Sequence, residues 1–171
     1  VQPERRESRI APAPRGDDRQ KPDDFWRFRI GSDQKEEAFL KIPAEFLGFF
    51  EKRTFAHLAT VMPDGSPHTA PVWVGYDGEH ILTAGARFHR RHQNMLADRR
   101  VALSIIDPDN PYNALLVRGE VVEMLKEGGI EFLDERAVLH WGSNYPFDRE
   151  RPRYLIKIRP DVVVGHPPRV P

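Results

Sequence analysis

The sequence predicts a mainly β protein with accessory helices, its strands forming a six-stranded antiparallel barrel. Three observations lead there. Six runs of strand length lie between Phe55 and Val164, most of them joined by short turn sequences. Two joints contain Asp-Gly, at Asp64-Gly65 and Asp77-Gly78, where the chain reverses tightly and neighbouring strands run antiparallel. The strands do not alternate regularly with helices, and there is neither a G-x-G-x-x-G nor a P-loop, so a parallel doubly wound sheet has no support.

The elements follow in chain order. Residues 1–24 are rich in Pro, Arg and Asp and poor in large apolar groups, so they cannot offset the entropy of ordering. Phe25, Trp26, Phe28 and Ile30 are too apolar to be left in water and are expected to dock. The expectation is an N-terminal arm over 1–35, partly flexible or wrapping a partner, ahead of a barrel domain over 36–171. Pro43 suits a first helical turn, and Phe46, Leu47, Phe49 and Phe50 give an apolar stripe to about Lys52. Strands are expected at Phe55–Met62, at His68–Tyr76 with Ala70, Val72, Val74 and Tyr76 on one side and Trp73 on the other, and at Glu79–Ala84. A short helix over Arg90–Asp98 precedes a strand at Val101–Ile106, stopped by Asp107-Pro108-Asp109-Asn110-Pro111. The long strand Ala114–Met124 carries Arg118-Gly119-Glu120, so one face there must be wet or paired. Gly129–Trp141 reads as a helix with Ile130, Leu133, Ala137 and Val138 in one stripe, and Tyr154–Val164 is the closing strand.

Composition bounds the function. The 171 residues fit one core, with 30% charged and 39% hydrophobic residues. No apolar run is long enough to span a bilayer, and residues 1–35 lack the apolar centre of a signal peptide. A formal net charge of zero argues against a broad nucleic-acid-binding face. The lack of cysteine excludes disulfides and thiolate chemistry and fits a reducing cytoplasm. Against that neutral background, Arg87 to Arg100 concentrates five arginines and two histidines with one acid, Asp98. From composition alone such a run reads first as a solvated basic turn, while clustered guanidinium groups between a strand and a helix N-terminus also suit a phosphate-bearing ligand. His89 and His92 could share a helix face, but metal binding amid these arginines is disfavoured by repulsion, so no metal is expected. Ser66, Ser104 and Ser143 do not sit in a nucleophile elbow.

Three segments carry a family resemblance. They are Leu58-Ala59-Thr60-Val61 with Asp64-Gly65-Ser66-Pro67-His68 and Pro71-Val72-Trp73, the run from Arg91 to Val101, and Tyr154-Leu155-Ile156-Lys157-Ile158-Arg159-Pro160. Together they resemble the split-barrel superfamily named after pyridoxamine 5′-phosphate oxidase, and its flavin/deazaflavin oxidoreductase branch, many members of which use coenzyme F420. The likeness runs from about Pro43 to Gly165. It implies an FMN-binding split β-barrel, a homodimer with a shared cofactor site, and hydride transfer to or from a small organic substrate, with F420 the first choice of cofactor and FMN the second. The resemblance makes Arg87, His89, Arg90 and Arg91 a phosphate anchor, with Asn94 bonding a phosphate, a ribityl hydroxyl or local backbone. It makes Thr60, Pro71, Val72, Trp73, Thr83 and Ala84 the wall for the ring, although Val72 and Trp73 read equally well as core. Pro71 has no N–H and belongs on an edge or an interrupted ladder. The family's phosphate segment is usually K-x-R-N-L-x-x-D-P-R-V; here Arg91, Gln93 and Arg99 replace its lysine, first arginine and proline. Trp141, Tyr145 and Phe147 are candidates to roof a substrate pocket or to join a dimer interface. No catalytic residue stands out. The alternatives are a non-catalytic flavin- or haem-binding or sensing protein, and a barrel that has lost its ligand.

Overall fold

A computed structural model describes residues 41–166, so the expected arm over 1–35 lies outside the described residues. The chain forms a 3-10 helix (Ala44–Glu51), β1 (Ala56–Val61), β2 (Pro67–Val72), β3 (Gly75–Tyr76), β4 (Ile81–Ala86), α1 (Arg90–Ala97), β5 (Arg100–Asp107), β6 (Asn110–Gly128), α2 (Gly129–Trp141) and β7 (Arg153–His166). All pairings are antiparallel, in one seven-stranded sheet of order β2-β1-β5-β6-β7-β4-β3. The mainly β antiparallel prediction holds, with a seventh strand because the expected strand His68–Tyr76 is divided: Trp73 and Val74 leave the ladder.

That break explains the curl. β2 and β3 are the two edges of the sheet, yet only Trp73 and Val74 separate them in sequence. A flat sheet of this many strands would be about 29 Å wide at the usual strand spacing. Three Cα steps reach at most about 11 Å. The sheet must therefore roll until its edges approach, giving the curled half-barrel. Asp77 sets the reversal into β4, its Oδ1 accepting from the Glu79 and His80 amides at 3.0 and 2.6 Å, while Gly78 takes φ +97°.

Alternation along the strands separates two faces. Leu58, Leu103, Val117 and Val163 are opposite one another in register and all buried. Ile81, Ile156 and Ile158 extend that core, each contributing about 1.5–3 kcal/mol on burial. The 3-10 helix caps one end with Phe46, Phe49 and Phe50, while Leu47 turns outward. On the other face, α2 spans the expected residues, but its buried side is Gly129, Phe132, Leu133 and Ala137. Val138, expected inward, is 50% exposed. The Arg118-Gly119-Glu120 interruption is a bulge: a Cβ on Gly119 would stand 2.2 Å from the Arg159 carbonyl oxygen, and Arg159 Nη2 bonds Glu120 Oε2 at 3.1 Å.

Candidate functional site

The very short β3 leaves an opening. It pairs only with Ile81 and Leu82, so beyond Leu82 no strand lies on that side of β4. No strand pairs with Thr83–Ala86 on that side, and all four residues are buried. Thr83 and Ala84 are buried here, and Thr83 Oγ1 has no hydrogen-bond partner.

At the end of this edge the chain turns into α1, and the basic cluster gathers. The His89 amide donates to the Ala86 carbonyl at 3.0 Å, holding the turn. A Cβ on Gly85 would lie 3.1 Å from Arg91 Nη2 and 3.4 Å from His89 Nδ1. The missing side chain of Gly85 thus makes the room in which both basic groups sit over the strand. Arg91 is half-buried, whereas Arg87 and Arg90 are exposed. Burial pushes His89 below its ordinary pKa, helped by the Arg91 and Arg153 charges; burial and then Arg87 do the same to His92. Both rings are therefore held neutral, and each has an Nδ1 without a partner.

Arg153 joins this group from β7, where its backbone pairs with Ala86. It is 7% exposed, and sequence reasoning missed it. Its guanidinium carbon sits 5.7 Å from the centre of the Tyr145 ring, and its Nη2 donates to the Asp148 carbonyl at 3.2 Å. Its Nε and Nη1 have no partner. Among the described residues no carboxylate pairs with Arg87, Arg90, Arg91 or Arg153, although Arg100, Arg149, Arg151 and Arg159 all have one. The arrangement is a concentration of positive charge with unsatisfied donors and no counter-ion among the described residues.

The other candidates divide. Asn94 and Thr60 are both buried and bond each other, Asn94 Nδ2 donating to Thr60 Oγ1 at 3.0 Å, which ties α1 to β1. Pro71 lies exposed on β2, an edge strand, as its missing N–H requires. The Val72 side chain is core. Trp73 is half-buried at the centre of an aromatic group: it stacks on His140 at 5.2 Å and meets Trp141 edge-on at 4.9 Å and Tyr145 at 6.2 Å. Its Nε1 has no partner. Of the departures from the family motif, Gln93 is exposed, while Arg99 is structural and donates to the Val121 and Val122 carbonyls, both at 3.3 Å. No group of three or more metal-ligating side chains occurs among the described residues.

The family described as pyridoxamine 5′-phosphate oxidase matches residues 42–164. The chain belongs to that family. Among solved structures, an F420 reductase is 32% identical over 72% of this chain and 98% of its own, with a TM-score of 0.64. A conserved hypothetical protein of Mycobacterium tuberculosis is 19% identical over 78% of this chain and 89% of its own, with a TM-score of 0.58. General stress protein 26 of Bacillus anthracis is 17% identical over 71% and 92%, with a TM-score of 0.55. These last two share the fold. No curated protein matches the chain. The half-barrel is thus the family's split barrel, and no helix among the described residues is long and apolar enough to cross a membrane.

Proposed function

We propose that the protein is an oxidoreductase that binds coenzyme F420, or FMN as the second candidate, beside the end of β4 that β3 leaves unpaired. The observation that carries this reading is the cluster of Arg87, His89, Arg90 and Arg91 at the end of β4, whose arginines pair with no carboxylate among the described residues. Both cofactors bear phosphate, and the residues fit one: Gly85 lets Arg91 and His89 sit over the strand, and buried polar groups beside them have no partner. The 32% identity to an F420 reductase sets the order of the two.

A bound deazaflavin or flavin supplies the hydride chemistry. The chain's own residues bind and orient. Arg91 and Arg87 hold the phosphate, Arg91 able to clasp two oxygens where the family's lysine makes a point contact. The unpaired side of Thr83–Ala86 meets the polar rim of the ring, and Trp73 with its aromatic neighbours excludes water from one side. Thr60 and Asn94 act by fixing α1 against β1, which sets where Arg90 and Arg91 emerge.

The functional unit is a homodimer. On the non-core face of the sheet, Ala59, Ala102 and Val162 lie in one cross-strand row with Arg118, and Leu116 and Val164 in the next. They line a groove of about 470 Å³. A sheet face turned to water is normally polar, so this apolar one is assigned to a second copy of the chain. A cytoplasmic location accords with a chain free of cysteine.

The test is the visible spectrum of the purified protein, followed by titration with F420 and FMN and by assays for reduction of small organic acceptors. Micromolar or tighter binding with turnover is expected. Binding of neither cofactor would overturn the proposal, and tight binding without turnover would make the protein a cofactor carrier or sensor.

A further inference from the structure

Arg153 is the most deeply buried cation in the basic cluster and has no counter-ion among the described residues. A buried guanidinium without an acid is costly and is retained where something else satisfies it. Tyr145 supports it from one side, and the Asp148 carbonyl takes only Nη2. The Asp148 carboxylate pairs instead with Arg151, its Oδ2 lying 2.6 Å from Nε. Nε and Nη1 are left over.

Its position relates it to the anchor. β4 and β7 place Arg153 opposite Ala86, and Arg91 Nη2 would touch a Cβ on Gly85, one residue earlier. Directly opposed residues in an antiparallel pair are about 4.5–5.5 Å apart at Cα. Successive strand residues face opposite sides of a sheet, so Arg91 meets the Gly85 face of β4 and Arg153 lies on the Ala86 face, with the Arg153 charge still felt at His89.

We propose that Arg153 is a second phosphate-binding arginine of the site, engaging the cofactor's phosphate together with Arg91. The proposal rests on the cofactor reading above and adds a residue on the opposite side of β4. Two guanidinium groups from different elements would select an oxyanion by shape as well as charge. Tyr145 keeps the Arg153 head in place, linking the α2–β7 loop to cofactor capture.

The test compares phosphorylated and phosphate-free forms of one chromophore: FMN against riboflavin, and F420 against its phosphate-free deazaflavin riboside. Affinities are measured for the full chain and for Arg153→Gln, Arg153→Lys and Arg91→Ala. Arg153→Gln is expected to weaken the phosphorylated form roughly 10- to 100-fold and leave the phosphate-free form unchanged. Arg153→Lys should recover part of that loss. Equal loss for both forms would make Arg153 merely structural and overturn the proposal. If Arg91→Ala loses phosphate discrimination while Arg153→Gln keeps it, the Arg153 assignment alone falls. If the wild-type chain does not discriminate between the forms, the phosphate anchor falls too. Should Arg153→Gln not fold, the same comparison in Arg153→Lys decides, with an undiminished preference for phosphate counting against the proposal.

Discussion

At the residue scale, the site depends on charged and polar groups held apart from compensating partners. Arg91 is half-buried with no acid paired to it among the described residues, so its charge is available to a ligand. Arg91→Ala should weaken the phosphorylated cofactor by about 1.5–3 kcal/mol per charged hydrogen bond lost. Isothermal titration checks this, and an unchanged affinity would remove Arg91 from the anchor. The histidines carry a pH signature. His89, His92 and His140 are all held below their ordinary values, in each case chiefly by burial. Unfolded imidazoles titrate near about 6.5, so between that value and their lower folded values the unfolded chain holds more protons. Their full contribution to stability is thus present above about pH 6.5 and declines as pH falls below it. Urea unfolding at several pH values should show a lower midpoint in mild acid, and His92→Gln should shrink the drop. A midpoint independent of pH across that window would show that these rings are not held neutral. Arg91 and Arg87 were legible as anchor candidates because a basic run after a strand is visible in sequence. Arg153 was not, because its proximity to Gly85 and Ala86 arises only from the β4–β7 register.

At the element scale, close backbone approaches hold the sheet's bends. β6 runs from Asn110 to Gly128 and shifts register at Arg118/Gly119 and again at Val121/Glu123. Gly119 permits the first shift, since a Cβ there would collide with the Arg159 carbonyl. Arg99 supports the second by donating to the Val121 and Val122 carbonyls. Gly119→Val should destabilise the fold by about 1–3 kcal/mol or more, as overpacking against fixed backbone does. Chemical denaturation reads this directly, and a wild-type midpoint would mean that β6 shifts without cost. Turn chemistry made the strand ends and the Asp77-Gly78 reversal legible in sequence. The break at Trp73 and Val74 was not, because both residues have good strand propensity and leave the ladder only to let the sheet close. Of the stripe expected on α2, Leu133 and Ala137 are buried but Val138 is not; Phe132 is buried as well, packed against Gly75 on β3, where a Cβ would lie 2.9 Å from its ring.

At the scale of the whole molecule, the curl creates the unpaired end of β4 and the apolar outer face together. Leu116 sits in that face beside Val164 and Ser104 in register. Leu116→Glu should abolish the proposed dimer and weaken cofactor binding if the groove is completed by the second copy. Sedimentation velocity with and without cofactor checks both effects. A wild-type monomer, or a variant that stays dimeric, would assign the face to something else. The sequence by itself determined the fold class, most element positions and a local excess of positive charge, because period-2 alternation, turn residues and charge runs are properties of neighbours in the chain. Only the tertiary structure decided that the sheet carries seven strands with its edges brought together, that Asn94 and Thr60 bond each other, and that Arg153 stands with the basic cluster. Those facts depend on register and closure, which join residues far apart in sequence and leave no local mark.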